Sequence, residues 1–361
     1  MLPYPTDLKT LWTLVSHYSP SGQETAAVDA LLTRFQELGY TKAFRDEAGN
    51  AIGVIGDGPR QIILLGHIDT VPGKIPARVE TLPDEGEVLF GRGSVDAKGP
   101  LAAFTDAAAA AGPQAGWQII VIGAVDEERE SVGARFVAQQ ADYHPEYAII
   151  GEPSSWQRVT LGYKGSARAV VRFERPLSHT ASAETSAPEM ACAWWQRLSA
   201  EVTARNTDRP RAFDRLQPSL RGLTSGDDGF TEWAELHLGC RLPPDIAPQA
   251  WYDLLTRLDP QGQVTPQGYA IAAYRGEKRT PLTRAFLGAI RAAGGKPGFV
   301  VKTGTADLNI VAPVWGCPAV AYGPGDSSLD HTPHEHLPLE DYRKAVAVLT
   351  GVLTRLTSPA S

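Results

Sequence analysis

The feature that most constrains the fold is a series of short apolar runs, each bounded by glycine or polar residues. Four of them lie in the first 150 residues, at 51–55, 62–65, 119–122 and 148–150. Runs of this length suit strands that are buried on both faces of a sheet. An alanine-rich helix is predicted at 100–111, between the second and third runs. Strands and helices therefore alternate, which predicts a doubly wound α/β core.

Chain length and a change of pattern predict two domains. The chain has 361 residues, more than one hydrophobic core usually serves. From residue 163 the pattern changes to alternating strands and amphipathic helices, and from residue 277 the first pattern returns. We therefore predict an α/β domain formed by 1–162 and 277–361, with an α+β domain inserted at 163–276. The proline- and arginine-containing stretch 206–221 is interpreted as a loop of the insert.

Composition excludes several classes of protein. A net charge of -7 argues against a nucleic-acid binder, which needs a basic surface. Cys192, Cys240 and Cys317 are far apart and form no CxxC pair, so neither a disulfide framework nor a thiolate zinc site is predicted. The sequence shows no signal peptide and no apolar run long enough for a membrane span. We therefore expect a cytoplasmic protein.

Polar residues follow the second run and precede the predicted helix. The run 62–65 leads into Gly66-His67-Ile68-Asp69. His67 is either a hydrogen-bonded structural histidine or a metal ligand whose ring Asp69 orients. In the glycine-rich segment 91–100, Asp96 is either a helix-capping residue or a carboxylate that bridges two cations.

An acidic cluster follows the third run. Asp126, Glu127, Glu128 and Glu130 occupy four of five consecutive positions. Such a cluster is usually a solvated surface, but this one follows a buried strand. Part of it is therefore expected near the carboxyl edge of the sheet, where open α/β folds bind ligands. A divalent cation there would relieve the repulsion between the carboxylates. Glu152 follows the fourth run and is expected at the same edge.

Histidines are concentrated near the carboxyl end of the chain. Three of the eight, His331, His334 and His336, lie within six positions. They belong either to an ordinary surface loop or to a metal site. Histidine and carboxylate ligands without cysteine suit zinc or cobalt.

These segments together resemble the co-catalytic zinc aminoacylase/carboxypeptidase family. That family includes carboxypeptidase G, acetylornithine deacetylase and succinyl-diaminopimelate desuccinylase. The matching stretches are GHIDTVP, GRGSVDAKGPLAA, DEE, GEP and HTPHE, in the family's order over nearly the whole chain. The resemblance implies a zinc-peptidase-like catalytic domain, an inserted lid and dimerisation domain, and hence a homodimer. It also implies two divalent metal ions, zinc in the first place or else cobalt.

The resemblance assigns roles to residues of the α/β domain. One metal would be held by His67 and Glu152, and the other by Glu128 and His331. Asp96 would bridge the two ions. The remaining two assignments are Asp69, which would orient the first histidine, and Glu127, which would be the general base.

Two residues of the insert also match family positions. His179 resembles a lid histidine that helps to stabilise the oxyanion, or else it is an ordinary loop histidine. Arg241 matches a lid arginine that binds a substrate carboxylate, for which a guanidinium is well suited. The chain departs from the family at 188–192, where relatives commonly carry an Asn-Ala pair. This departure weakens the match of the lid but leaves the metal residues untouched.

Two stretches, GEPSSWQRVTLGYKG and KTGTADLN, resemble one branch of the family. That branch releases lysine or ornithine from an acidic LysW-type amino-group carrier protein, in lysine and arginine biosynthesis. An acidic partner predicts a basic docking face. The candidates are Arg158, Lys164, Arg168, Arg172 and Arg175 in one group, and Arg205, Arg209, Arg211, Arg215 and Arg221 in another. The alternative is scattered surface charge.

Other functions stay open at this point. A deacetylase or desuccinylase of a free N-acyl amino acid would use the same metal residues. A dipeptidase or carboxypeptidase is compatible with Arg241. A metal-free binding protein would have lost ligand positions, and all of them are present here. For the ε-ammonium of a lysine product, the candidate partners are Asp307 and Glu130.

Overall fold

The computed structural model describes residues 6–179, 181 and 183–358. The described residues divide into two compact units. The first unit lies within 1–162, 276–300 and 306–361, and the second within 163–275 and 301–305. Residues 301–305 belong to the second unit, although the sequence pattern placed them with the last segment of the chain.

The helices of the described chain have the following bounds. They are α1 (Lys9–Ser16), α2 (Thr25–Glu37), α3 (Lys98–Ala111), α4 (Val132–Gln139), α5 (Ala187–Asn206), α6 (Pro248–Leu258), α7 (Pro281–Ala292), α8 (Leu308–Trp315) and α9 (Leu339–Thr357). Short 3-10 helices lie at Thr6–Leu8, Ala212–Asp214 and Ser327–Leu329.

The strands are likewise given in chain order. They are β1 (Lys42–Arg45), β2 (Ala51–Ile55), β3 (Arg60–His67), β4 (Arg78–Leu82), β5 (Gly86–Phe90), β6 (Trp117–Ala124), β7 (Pro145–Gly151), β8 (Arg158–Tyr163), β9 (Gly165–Pro176), β10 (Gln217–Asp227), β11 (Thr231–Leu242), β12 (Gln263–Ile271), β13 (Tyr274–Arg275), β14 (Gly298–Lys302), β15 (Ala319–Tyr322) and β16 (His336–Pro338).

The large sheet of the first unit has a parallel centre. Its strands follow the order β1-β2-β6-β3-β7-β15-β8. Strands β6, β3, β7 and β15 pair in parallel, while β2 and β8 pair antiparallel at the two sides. The four apolar runs all form strands of this sheet, and their side chains are buried. The predicted α/β class is confirmed, with antiparallel strands outside the parallel centre.

Three glycines form a row across the parallel strands. Gly66 of β3 lies in register with Gly123 of β6 and with Gly151 of β7. A Cβ at the first would lie 3.2 Å from Leu101, and one at the last would lie 3.0 Å from Phe104. Both contacts are with α3, so the row lets this helix pack closely on the sheet. Helix α3 begins two residues after Asp96, which its packing therefore helps to place.

The second unit contains a four-stranded antiparallel sheet in the order β10-β11-β9-β12. Strand β9 alternates in burial, and its odd-numbered residues from Ala167 to Phe173 are buried. They share a core with Trp194 of α5 and Trp251 of α6, and each of these two indoles is completely buried. The other face of the sheet is the polar one, as expected for an antiparallel sheet covered on one side.

The interpretation of 206–221 as a loop was wrong in its last part. Strand β10 begins at Gln217 and pairs with β11 from Arg241 to Glu232. Exposed and half-buried residues alternate over the first six positions of the strand. Proline and arginine obscured this alternation in the sequence. In this sheet β10 is an edge strand, where a proline costs little because one side of the strand needs no ladder hydrogen bonds.

Candidate metal centre

The parallel strands of the first unit end at one edge of the sheet, and the candidate residues follow these ends. His67 is the last residue of β3 and lies in register with Ala124, the last residue of β6. Strand β7 ends at Gly151, in register with the residue before His67. The segment 125–128 and Glu152 therefore begin at the level of His67.

His67 is buried, with 2% of its surface exposed. Its Nδ1 lies 3.0 Å from the carbonyl oxygen of Asp69 and 3.4 Å from Oδ1 of the same residue. Its Nε2 lies 3.1 Å from Oδ1 of Asp96. In the tautomer that donates from Nδ1, the lone pair of Nε2 is left for a cation. Burial alone would lower the pKa of His67, but hydrogen bonds with Asp69 and Asp96 raise it well above its usual value.

Asp69 is fully buried and fixes the backbone of the acidic loop. Its Oδ1 accepts a hydrogen bond from the Glu127 N–H at 3.1 Å. Its Oδ2 accepts from the Glu128 N–H at 3.1 Å and from the Ser21 hydroxyl at 2.6 Å. Burial favours a raised pKa, but the interactions with His67 and Ser21 lower the pKa of Asp69 below its usual value. One ionised carboxylate thus contacts both His67 and the loop that carries the general-base candidate.

Asp96 lies between two histidines. Besides the contact with His67, its Oδ2 is 3.0 Å from Nε2 of His331. The same Nε2 is 3.1 Å from Oε1 of Glu128. Hydrogen bonds from the two histidines outweigh burial and hold the pKa of Asp96 well below its usual range, while Asp96 and Glu128 raise that of His331 to about 10. The N-cap residue of α3 is Ala97, without a side-chain cap, so Asp96 is not the helix cap that one reading of the sequence allowed.

The donor set suits a divalent cation. One ligand atom from each of His67, Asp96 and Glu128 lies within 4.8 Å of the others. The contacts of 3.0 and 3.1 Å around Asp96 are close to the roughly 3.3 Å between ligand atoms bound about 2.0–2.1 Å from a tetrahedral zinc. Imidazole nitrogens and carboxylate oxygens are ligands for zinc and cobalt. These residues therefore fit the cations that the sequence predicts.

Glu127 is half-buried next to this group. Burial raises its pKa well above the usual value, and His67 opposes that effect. The carboxylates of Glu152 and Asp307 raise the pKa of Glu127 further. Glu152 itself is buried, with 8% of its surface exposed. Without a cation, the carboxylates at this edge of the sheet therefore repel one another.

Asp307 lies in the interior of the first unit, with 1% of its surface exposed. Burial raises its pKa to about 7, although His67 opposes the shift. A carboxyl group so deeply buried is badly placed to receive a solvated ε-ammonium. Glu130, the other candidate for that contact, is half-buried in the acidic loop.

The two candidate residues of the insert lie in the second unit. His179 is exposed, and its Nδ1 accepts a hydrogen bond from the Ala181 N–H at 3.1 Å. Thr180 of the same motif lies outside the described residues. Arg241 is an exposed residue of β11, and its Nη1 donates a hydrogen bond to the Thr305 hydroxyl.

Sequence reasoning missed three buried charged residues of the first unit. Arg92 and Glu335 form an ion pair at 2.8 Å. Lys98 has no exposed surface, and its Nζ donates to the His17 carbonyl oxygen at 2.5 Å. Burial lowers the pKa of Lys98 to about 7. The signal in the sequence is their position, since all three lie inside the glycine-rich and histidine-rich motifs.

Comparison with known families decides the class of the protein. Residues 63–355 match the family described as Peptidase family M20/M25/M40. The chain belongs to peptidase family M20. A relative from Deinococcus radiodurans, named LysW-lysine hydrolase, is 46% identical over 95% of this chain and 94% of its own length. A relative from Pyrococcus abyssi, named provisionally as a LysW-lysine/LysW-ornithine hydrolase, is 40% identical over 98% and 95%.

A solved structure supports the M20 fold. A metallo-carboxypeptidase of the M20 family from Sulfolobus solfataricus matches with a TM-score of 0.76, over 98% of this chain and 99% of that one. Its sequence identity is 17%, so the similarity concerns the fold alone.

The M20 family and its hydrolase-named relatives confirm that the chain is a metal-dependent hydrolase that acts on an amide bond. The M20 family and the group of His67, Asp96 and Glu128 also support divalent metal ions as cofactors. In the part of the chain that the structure describes, no helix is both long and apolar enough to cross a membrane.

Proposed function

We propose that this M20 enzyme hydrolyses the amide that joins lysine or ornithine to an acidic amino-group carrier protein of the LysW type. The observation that carries the proposal is the similarity to relatives with that activity in their names, at 46% and 40% identity over nearly the whole chain. The geometry of the first unit supports the reaction class, because histidines and carboxylates converge at one sheet edge. The proposal places the enzyme in lysine or arginine biosynthesis in the cytoplasm.

In this proposal, five residues hold two divalent ions, zinc by preference and otherwise cobalt. They are His67 and Glu152 on one ion, Glu128 and His331 on the other, with Asp96 between them. Bound cations would polarise the scissile carbonyl and make the attacking water more acidic. Asp69 supports this arrangement, because it accepts from the loop at Glu127 and Glu128 while it contacts His67.

Glu127 is the proposed general base. Its carboxylate takes a proton from the attacking water and then gives it to the nitrogen of the leaving amine. Its backbone is fixed by Asp69, so that a side chain adjacent to a ligand reaches the reacting water without being a ligand itself.

The residues of the insert keep their proposed roles in substrate binding. Arg241 binds a substrate carboxylate, and the Thr305 hydroxyl that it contacts orients the guanidinium. His179 stabilises the oxyanion from the lid, in a homodimer formed through the inserted domain. Its exposure fits a group that meets its target only in the assembled enzyme with substrate.

Five of the ten predicted docking residues have a carboxylate partner in the second unit, among the described residues. Arg172 pairs with Glu174 and Glu235, at 2.9 and 2.6 Å. Arg209 pairs with Asp245 at 2.6 Å. The other members with a carboxylate partner are Arg175, Arg205 and Arg211. Lys164 is buried, with its Nζ near Gln217 and two carbonyl oxygens.

Two of the predicted docking residues, Arg168 and Arg221, are exposed on the polar face of the sheet. Arg168 lies in register with Gly239, and a Cβ at Gly239 would lie 3.7 Å from Cγ of Arg221. Both side chains therefore flank the same point of the sheet. Among residues 6–179, 181 and 183–358, neither forms a salt bridge. We propose that Arg168 and Arg221 contact the acidic carrier, since complementary charge favours encounter and correct orientation.

A direct comparison of substrates tests the proposal. The purified enzyme with Zn²⁺ or Co²⁺ is assayed on the lysine-loaded carrier, on the ornithine-loaded carrier and on free acetyl-lysine. We expect a kcat/KM for a loaded carrier that exceeds the value for acetyl-lysine by at least about a hundredfold, equivalent to roughly 2.7 kcal/mol of extra transition-state binding. Preference for acetyl-lysine would make the enzyme a deacetylase of free amino acids instead.

A further inference from the structure

The loop that carries Asp96 and the loop that carries His331 are joined by a buried pair of charges. The carboxylate of Glu335 has no exposed surface, and its Oε2 accepts from Nη1 of Arg92 at 2.8 Å. Arg92 is 6% exposed. The two residues lie 243 positions apart in sequence, so the pair exists only through the fold.

The second oxygen of Glu335 contacts the backbone that leads to the metal residue. Its Oε1 accepts from the Val95 N–H at 3.0 Å and from the Asp96 N–H at 3.1 Å. The side chain of the same Asp96 contacts both His67 and His331. Glu335 therefore fixes the main chain from which the proposed bridging carboxylate projects.

Arg92 belongs to the loop that carries Asp96, and it contacts the loop that carries His331. Its Nη1 donates to the carbonyl oxygen of Thr332 at 3.1 Å, and its Nε donates to the carbonyl oxygen of Gly73 at 2.9 Å. Thr332 follows His331, whose backbone is in the left-handed region with φ 62°. A guanidinium with several donors in a rigid plane is well suited to hold such a turn. Glu335 of the His331 loop thus holds the Asp96 loop, and Arg92 of the Asp96 loop holds the His331 loop.

We infer that Glu335 and Arg92 are positioning residues that keep Asp96 and His331 at the spacing two cations require. Neither side chain is a ligand, because both oxygens of Glu335 are used by Arg92 and the backbone. The inference rests on the proposed two-metal site but not on the identity of the substrate. Outer residues of this kind commonly change metal affinity by about 10–100-fold when they are replaced.

The test is metal affinity, measured by competition with a chromogenic chelator for Zn²⁺ and Co²⁺. Glu335→Gln keeps an oxygen for the two N–H groups but removes the charge opposite Arg92. We expect it to weaken the more loosely bound ion by about tenfold, and Glu335→Ala by up to about a hundredfold. The absorption spectrum of the Co²⁺-loaded variants should also change, because the ligand geometry around Asp96 changes.

The matched control is Glu85→Gln. Glu85 is 3.2 Å from Nε2 of His336, the residue next to Glu335, but within the described part of the chain it forms no hydrogen bond or salt bridge with the Asp96 loop. If Glu335→Gln and Glu335→Ala bind both ions like this control, with an unchanged Co²⁺ spectrum, the inference is wrong. It is equally wrong if neither variant folds in the metal-free state, since the pair would then serve stability alone.

The two proposals fail in different ways. Wild-type protein that cleaves acetyl-lysine rather than loaded carrier contradicts the proposed substrate, and leaves the metal affinities of the Glu335 variants as the decisive result. Wild-type protein that binds fewer than two ions contradicts the proposed metal centre itself.

Discussion

The two units carry their charges in opposite ways. In the first unit, carboxylates crowd at one edge of a sheet, where burial and then the neighbouring carboxylates raise the pKa of Glu127. In the second unit, six of the twelve arginines have a carboxylate partner among the described residues, as Arg172 has Glu235. We expect the first arrangement to need cations from solution, and we propose that Arg168 and Arg221 of the second unit contact a partner. Unbalanced buried charge thus accompanies the candidate metal residues of the first unit, and we propose that unbalanced exposed charge serves recognition in the second.

Removal of the metals should show the imbalance of the first unit most strongly. After dialysis against a strong chelator, we expect kcat to fall by about a thousandfold or more, because the cations stabilise the developing charge of the transition state. Activity should return with Zn²⁺ or Co²⁺. Full activity in protein shown by elemental analysis to be metal-free would contradict the expectation that the first unit needs cations.

Replacement of the proposed base separates proton transfer from metal binding. Glu127→Gln should lower kcat by about 10²–10⁴-fold, since the amide cannot accept the proton of water. Metal content should stay that of the wild type. The control is Glu47→Gln, at an exposed position of the first unit outside the acidic loop, which should retain its turnover. An active Glu127→Gln enzyme would exclude Glu127 as the base.

A core substitution in the second unit should lower the free energy of unfolding rather than the catalytic activity. Phe173 has no exposed surface, so Phe173→Ala should lower the free energy of unfolding by about 3–5 kcal/mol. Phe230, which is 83% exposed, is the control, and Phe230→Ala should have almost no effect on unfolding. Denaturant titration measures both. Loss of bound metal from the folded Phe173→Ala protein would show that the two units are less separate in their roles than we describe.

Reversal of the charges of Arg168 and Arg221 should affect KM for the loaded carrier and not KM for free acetyl-lysine. We expect the combined change Arg168→Glu and Arg221→Glu to raise KM for the loaded carrier by about tenfold at low salt, and less at high salt, because exposed charges are screened. KM for acetyl-lysine should not change. The control is Arg257→Glu, at an exposed position of α6. Equal effects of the two variants would show that the face has no specific role.

The smallest effect concerns the thiols of the second unit. Burial raises the pKa of Cys240 to about 12, whereas Cys192 is exposed. A thiol reagent at neutral pH should therefore modify Cys192 first and Cys240 only after unfolding. The folded state keeps the Cys240 proton between pH 9 and about 12, while the unfolded state releases it. This contribution to stability is therefore present below pH 9 and is lost as the pH rises towards 12.

Much of the first unit was predictable because its strands are buried. Buried strands are apolar runs, and the first polar residue after each run lies at the sheet edge. His67 follows this logic, and so does Glu152. The assignments of metal ligand and base still depend on the family resemblance and stay proposals.

The remainder depends on contacts that no local pattern shows. The pair of Arg92 and Glu335 joins segments 243 residues apart. The carboxylate partners of the docking candidates could not be predicted for the same reason, because the partner of Arg209 is Asp245, 36 positions away. The beginning of β10 was missed because its alternation is weak and includes proline.

The row of glycines on β3, β6 and β7 has a consequence for engineering of the enzyme. A methyl group at Gly66 would press on Leu101 and displace α3, and with it the segment that carries Asp96. The position of Asp96, the proposed bridging residue, is thereby coupled to an apolar contact in the interior. Mutant libraries that alter substrate choice should vary exposed positions of the second unit and leave Gly66, Gly123 and Gly151 unchanged.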